Sequence, residues 1–437
     1  MRSPVMQLGR RPDGAKPSNA RGRLNSTVQP EMGSPTSVAS RELLVKQARR
    51  TLGHVRSGTM PLGDQIYEVP ASKYVDPARW ELEIERIFRR VPLVLGLAAE
   101  LSDLNTYRAL TVAGTPILII RANDGVVRAF LNTCRHRGSR IVDDGHGTKR
   151  RFTCPYHAWT YSTEGKLVGV TDRSLFGELA DDCAGLVELP CTERAGLIFS
   201  NVMPDVEPHF DEFLCGYDEM LGHLGLADSY LVGQQSIPGP GWKIVYDGYL
   251  DLYHIPYLHR ESFGPDWCNR GIYDAWGPHQ RVSPLDHRFL QLDGVPEEEW
   301  ETDQLLGGLW TIFPNVSIAS FDCDGPLYMV SQLFPGNGPF ESVTTQSFLT
   351  KEPVDANRMS LIEQRMEFLL GVVRDEDYRT CEGIQQSLRS NPARSALFGR
   401  NEIGGQRFHQ WVDALVEADD MSGYRDLLSE MTTTFPE

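Results

Sequence analysis

Leu131-Asn-Thr-Cys-Arg-His-Arg-Gly138 and Cys154-Pro-Tyr-His-Ala-Trp-Thr-Tyr161 decide how this chain must be read. Each stretch reads as strand, short loop, strand. Each loop offers one thiolate and one imidazole, Cys134 with His136 and Cys154 with His157, and seventeen residues separate the two pairs. Two Cys on one iron and two His on the other is the ligand set of a Rieske [2Fe–2S] centre, whose neutral imidazoles raise the reduction potential. The competing reading is a zinc site. Zinc sites with two Cys and two His usually pair like with like, as Cys-x2–4-Cys and then His-x3–5-His. Mixed Cys-x-His and Cys-x2-His pairs depart from that habit and favour the cluster.

Electron transfer alone needs far fewer than 437 residues, and this length favours two or three domains with large cores. Hydrophobic content of 41% and charged content of 23% are ordinary for a globular protein. The longest apolar runs, Val91–Ala99 and Pro116–Ile120, are too short to span a bilayer, and no charged start followed by an apolar core marks export. A cytoplasmic protein is expected, with Cys183, Cys191, Cys215, Cys268, Cys323 and Cys381 as reduced thiols, since they follow no disulfide spacing. Forty-three basic against 59 acidic residues gives −16, which argues against nucleic acid or an anionic membrane as partner. Around the two ligand loops the sign reverses: Arg135, Arg137, Arg140, Lys149, Arg150 and Arg151 either form a collar that steers an acidic electron donor or merely support the loops.

Along the chain, residues 1–42 read as a disordered arm rich in Pro, Gly, Ser and Arg. Residues 43–90 read as helices packing on a catalytic domain, with Pro77 in the first turn of the second. Short β-rich runs separated by turn signals fill 91–205, an all-β module that holds both ligand loops. Residues 206–437 mix helices with strands such as Gly308–Phe313, Val316–Phe321, Leu327–Phe334 and Glu341–Leu349, and end in helix from about Asp355. The fold class is α+β.

A second metal site is suggested by His254 and His259 in Trp242–His259. Five helical residues turn about 140° off-face, so a continuous helix would not aim both rings at one point. A break at Pro256, which lacks an interior donor, could bring them together. Asp377 supplies a carboxylate on what an ideal helix makes an apolar stripe with Cys381, Ile384 and Leu388, and a buried Asp is costly unless paired or bound to metal. On the same projection Asp375, Glu376 and Glu382 point to solvent. Two His and one carboxylate with open positions form the facial triad of non-haem Fe(II) oxygenases; two structural His and a core Asp are the alternative.

From about Leu43 onward, the chain resembles the α subunits of Rieske non-haem iron oxygenases. The resemblance rests on Cys134-x-His-Arg-Gly and Cys154-Pro-Tyr-His-x-Trp-x-Tyr, and on Trp242 through His259. It implies a Rieske domain beside a catalytic domain of the helix-grip type, with an antiparallel sheet and helices. It implies a cluster on Cys134, His136, Cys154 and His157, and a mononuclear Fe(II) on His254, His259 and Asp377. Asp251, the catalytic candidate, matches the acid that links a cluster His to an iron His across a subunit boundary. Two positions depart from the pattern: Tyr246-Asp247 replaces the usual Glu-Asn, and Ala158 replaces a Gly. Ile312, Phe313 and Asn315, with Ser320–Asp322, lie on strands that resemble the substrate-pocket wall.

The activity implied is a terminal oxygenase. It takes electrons from a ferredoxin or an NAD(P)H-dependent reductase, activates O2, and hydroxylates a hydrophobic, aromatic small molecule. Oxidative O- or N-demethylation and quaternary-amine oxidation are alternatives on the same scaffold. An electron-transfer Rieske protein without oxygenase activity is an alternative of another class, although a respiratory subunit would place Cys where Ser139 and Tyr156 stand. A homotrimer or a multiple of one, with or without a small β subunit, is expected.

Overall fold

The computed structural model describes residues 37–177, 179, 185–418, 420–431 and 433–434. Cys183 and the expected arm up to residue 36 lie outside them. The last six residues of the expected arm, 37–42, instead begin a helix: Ser37 caps Val38–Ser57 by accepting from Ser40 N, and Gly58 closes it at φ 66°. Its buried face (Leu44, Val45, Ala48, Leu52) joins Phe289, Trp300, Trp310 and Tyr328 in one core. The second helix begins at Pro77 behind the Asp76 cap and passes at Ile84–Phe88 into a wider π turn. Residues 43–90 are not all helix, because Tyr67–Pro70 pairs with Ser395–Phe398, a strand inside the stretch expected to be helical.

Three antiparallel sheets carry the all-β region. Five strands run in the order Glu188–Leu189, Val127–Leu131, Thr115–Arg121, Thr106–Val112, Gly145–Thr148. Three more are Cys191–Arg194, Leu197–Ser200 and Leu93–Leu97, and a last three are Arg151–Thr153, Thr160–Ser162 and Leu167–Gly169. A separate core of Tyr107, Leu118, Ile120, Phe130, Phe152, Trp159 and Tyr161 packs directly around Cys134 and Cys154.

The larger sheet has eight antiparallel strands, ordered Tyr230–Gly239, Ser342–Thr350, Pro326–Pro335, Val316–Asp322, Leu309–Ile312, His279–Pro284, Gly271–Trp276, Thr433–Thr434. Pro326–Pro335 is apolar almost throughout because both its faces are covered. Leu327 and Met329 pack on Ile362 and Leu369 of the helix Ala356–Val372, and Tyr328 and Val330 face the core under the N-terminal helix. The β-rich region is tied to this sheet by polar pins as well as apolar packing. Asn315 makes a two-way amide bond with the main chain of Val94 (Val94 N to Oδ1 3.2 Å, Nδ2 to Val94 O 3.0 Å), and Gln332 Nε2 donates to the same carbonyl at 2.9 Å. Glu100, fully buried, accepts from Arg108 Nη1 at 2.8 Å and from Gln234 Nε2 at 2.9 Å.

Candidate metal centres

The two cysteine–histidine loops are built alike. Cys134 N donates to Ser139 O at 2.8 Å and Gly138 N to Cys134 O at 2.8 Å; Cys154 N donates to Trp159 O at 2.8 Å and Ala158 N to Cys154 O at 3.0 Å. Each loop turns back through a left-handed residue, Gly138 at φ 72° and Ala158 at φ 56°. The loops bring His136 and His157 to a ring separation of 4.7 Å. His136 stacks on Trp159 at 4.9 Å with 9° between planes, and Phe176 closes its edge at 5.5 Å. Tyr161 Oη lies 3.2 Å from Cys134 Sγ and accepts from Arg135 N at 3.1 Å, so its hydroxyl proton is directed at the sulfur. Burial would raise the Cys154 thiol, but main-chain donors of Tyr156 and His157 and the neighbouring Cys134 and Ser139 bring it below the ordinary thiol range, towards thiolate. Burial, His157 and Arg137 push the His136 imidazole down, towards the neutral ligand form. Its Nδ1 is buried and has no hydrogen-bond partner, as a ring nitrogen kept for a metal would be. This donor set fits a histidine-ligated cluster.

His254, His259 and Asp377 come together. His254 Nε2 and His259 Nε2 are 3.2 Å apart, and Asp377 Oδ1 lies 3.5 Å from the first and 3.0 Å from the second. Metal–ligand bonds of about 2.1 Å at right angles give ligand separations of about 3 Å, so the triangle has the size of one octahedral face. Each imidazole is oriented from behind by a second carboxylate: Asp251 Oδ2 lies 3.1 Å from His254 Nδ1, and Glu376 Oε2 lies 2.7 Å from His259 Nδ1. Asp251 Oδ1 accepts from Tyr253 N at 2.7 Å, and Ser262 Oγ donates to Glu376 Oε2 at 2.9 Å. Carboxylate–imidazole pairs of this kind fix the tautomer and the ring plane of metal-bound His. Burial would lower both imidazoles and raise Asp377. The carboxylates reverse this for the rings, raising His254 to about 9, and the rings hold Asp377 below its ordinary value.

Local irregularity explains the convergence. The helix Trp242–Leu250 stops at Asp251, and a new turn starts at Ile255–Leu258 with His254 as its cap. Pro256 therefore sits in the first turn of that second helix and does not cause the break, which lies before it. Asp377 lies in a π turn over Val373–Tyr378. That turn overturns the projection that sent Glu376 to solvent: the extra residue shifts the helical phase, so Glu376 and Asp377 both reach His259. The expected apolar stripe is only partly realised, since Leu388 is buried but Ile384 is 45% exposed. Gly239 leaves room for Tyr378, next to Asp377. A Cβ there would lie 2.6 Å from the ring, which reaches past it to Thr344 Oγ1 at 2.5 Å.

The pocket residues read from sequence need correction. Asn315 is fully buried and both its amide atoms are bonded to Val94, so it pins the fold. Ile312 is buried in the core under the N-terminal helix, and Phe313 packs against Phe408 at 6.1 Å. A cavity of about 440 Å3 touches Ser320, Phe321 and Asp322, but neither imidazole nor Asp377 lines it. On the His259 side of the triad an aromatic group packs, with Phe263 5.3 Å from His259 and Trp267 and Phe368 behind it. Sequence reading missed these, and also Glu376 and Tyr161; the paired acids Glu376-Asp377 were the available signal for the first. Asp247, one of the two positions that depart from the family pattern, is bonded to Tyr74 and His409.

A β cage with two Cys and two His, beside a sheet-and-helix domain with a two-His, one-carboxylate face, defines an iron-dependent oxygenase with its own electron relay. The comparisons agree. A model of the Rieske [2Fe–2S] domain matches residues 92–176, and one of the ring hydroxylating alpha subunit catalytic domain matches 239–418. The biphenyl 2,3-dioxygenase α subunit of Rhodococcus jostii RHA1 is 33% identical over 378 residues, 76% of this chain and 80% of that one. The carnitine monooxygenase oxygenase subunit of Escherichia coli K12 is 26% identical over 363 residues, 79% of this chain and 92% of that one. Among solved structures, a quaternary ammonium Rieske monooxygenase with γ-butyrobetaine gives a TM-score of 0.67 at 22% identity, covering 81% of this chain and 97% of that one. Naphthalene 1,2-dioxygenase from a Rhodococcus species gives 0.67 at 20%, covering 86% and 99%.

The chain belongs to the Rieske non-haem iron oxygenase α subunits. It is accordingly an oxygenase component with a Rieske cluster and a mononuclear iron, of a family whose α subunits form multimers and draw electrons from an external reductase or ferredoxin. No helix among the described residues is long and apolar enough to cross a membrane.

Proposed function

We propose that Cys134, His136, Cys154 and His157 hold the cluster, that His254, His259 and Asp377 hold the ferrous ion, and that the chain hydroxylates a hydrophobic aromatic molecule. The observation carrying this is the triangle of two Nε2 atoms and one carboxylate oxygen, each imidazole backed by its own acid. When bound, the two groups supply single electrons and the activation of O2. The protein's part is to orient and exclude. Asp251 and Glu376 fix the rings, and Phe263, Trp267 and Phe368 offer apolar area to substrate and displace water from the His259 side. The three carboxylates reaching the imidazoles are engaged by them, which leaves none of the three for a cationic substrate and supports an apolar one. Quaternary-amine oxidation is the second reading, favoured by the carnitine and glycine betaine monooxygenases among the relatives.

In this reading residues 91–205 form the Rieske domain and 206–437 the catalytic domain of a cytoplasmic homotrimer or a multiple of one. The exposed Arg137, Lys149, Arg150 and Arg151 would attract an acidic ferredoxin or reductase; Arg140 is paired with Asp144 at 2.9 Å. The test is O2 uptake by the purified chain with a reductase, over a panel of aromatic hydrocarbons, carnitine and glycine betaine. Stoichiometric uptake with an aromatic supports the first reading, and uptake with the betaines alone replaces it by the second. A protein without about three irons per chain, two in the cluster and one apart, overturns both.

A further inference from the structure

The helix Trp242–Leu250 ends one residue before Asp251, and both its ends are held by buried polar groups from distant parts of the chain. At the first turn, fully buried Glu83 accepts from Trp242 Nε1 at 3.0 Å, from Arg79 Nε at 3.1 Å and from the Lys243 ammonium. At the last turn, Asp247 Oδ2 accepts from Tyr74 Oη at 2.8 Å, and Asp247 Oδ1 lies 2.9 Å from His409 Nε2. Tyr74 Oη and His409 Nε2 are also 2.9 Å apart, which closes a triangle. His409 is 1% exposed and Tyr74 5%, and their rings meet edge to face at 5.3 Å. Tyr74 and Glu83 precede both regions matched by the family models, and His409 lies on the helix Ile403–Glu417.

The chemistry of the triangle is restrictive. A carboxylate only accepts, so the phenol and the imidazole N–H must both donate to Asp247. Burial, with Asp247 beside it, keeps the Tyr74 hydroxyl far above its ordinary range and therefore a donor. As a carboxylate, Asp247 can accept from the phenol on one oxygen and from the imidazole on the other. Asp251 follows four residues later, is held by Tyr253 N, His254 N and His254 Nδ1, and takes its direction from the last helical turn.

We propose that Tyr74, Asp247 and His409 form a positioning clamp on that turn, which aims Asp251 at His254 and thereby sets the geometry of the mononuclear site and the rate at which it receives an electron. The inference rests on His254, His259 and Asp377 being the iron ligands. The test uses the iron-loaded holoenzyme and its Asp247→Asn, His409→Gln and Tyr74→Phe variants. Two readouts are taken: the EPR signal of the anaerobic ferrous protein treated with nitric oxide, and the rate at which O2 restores the visible bands of the dithionite-reduced cluster. Asp247→Asn and His409→Gln should alter the symmetry of the nitric oxide signal and slow cluster re-oxidation about 10- to 100-fold at unchanged iron content. Tyr74→Phe should do the same to a smaller degree, and it decides the matter if the other two do not fold. An unmoved signal and an unmoved rate per bound iron, even with a lowered melting temperature, would make the clamp purely structural and sink the proposal. A wild-type protein that gives no nitric oxide signal would sink the ligand assignment, and the clamp with it.

Discussion

The cysteine–histidine cage and the two-histidine, one-carboxylate face solve the same problem in opposite ways. In the cage, all four candidate ligands fall within 24 residues, Cys134 to His157, on loops closed by the same pair of main-chain hydrogen bonds. In the face, Asp377 stands 118 residues after His259, and it arrives through a π turn while the histidines cap the two ends of the short turn Ile255–Leu258 that follows a helix break. The cage is made by regular local structure; the face is made by departures from it. Backbone hydrogen bonds hold the first, whereas paired carboxylates hold the second.

Removing Asp377 should separate the two regions most sharply. Asp377→Ala should abolish turnover and lower iron from about three to about two atoms per chain while leaving the visible cluster bands intact. Loss of those bands would show that the two sites do not fold independently. Glu376→Gln probes the orienting acid: it keeps a hydrogen bond to His259 but not the charge, and ferrous ion affinity should fall about 10- to 100-fold in a chelator competition. In the cage, Tyr161→Phe removes a donor to Cys134 Sγ. Hydrogen bonds to cluster sulfur raise the potential, and one such bond is worth about 1 kcal/mol, so the midpoint should drop by some tens of millivolts in a spectroelectrochemical titration. The smallest effect is expected at Ala158, whose left-handed backbone suits Gly better. Ala158→Gly should raise the stability of the cage by about 1 kcal/mol, read as a higher temperature of cluster loss.

This contrast also explains what could be read in advance. The cage motifs and the strands around them are visible in sequence because thiolate, imidazole and turn residues repeat over a few positions, and strands such as Thr106–Val112 and Arg151–Thr153 fall in the stretch where short β-rich runs alternate with turn signals. The iron face is only partly visible. His254, His259 and Asp377 could be nominated, but an ideal 100° projection misplaced Glu376 because a π turn has no signature in residue type. Asn315 is not decided by sequence, because a buried amide on an apolar strand looks the same whether it faces a ligand or a neighbouring main chain. The strand Ser395–Phe398 is hidden in a stretch of helical pattern because its partner, Tyr67–Pro70, lies more than 300 residues away.

The π turn at Val373–Tyr378 carries a consequence for how this scaffold tolerates insertions and deletions. Such a turn holds one residue more than the α-helical turn it replaces. Loss of any single residue there would let the backbone relax into ordinary helix, well paired and stable, while rotating the downstream side chains by about 100°. Reading frame, and not only residue identity, is therefore under constraint in these six positions: a shortened loop elsewhere costs stability, but a shortened turn here would leave a sound fold with its chemistry turned away.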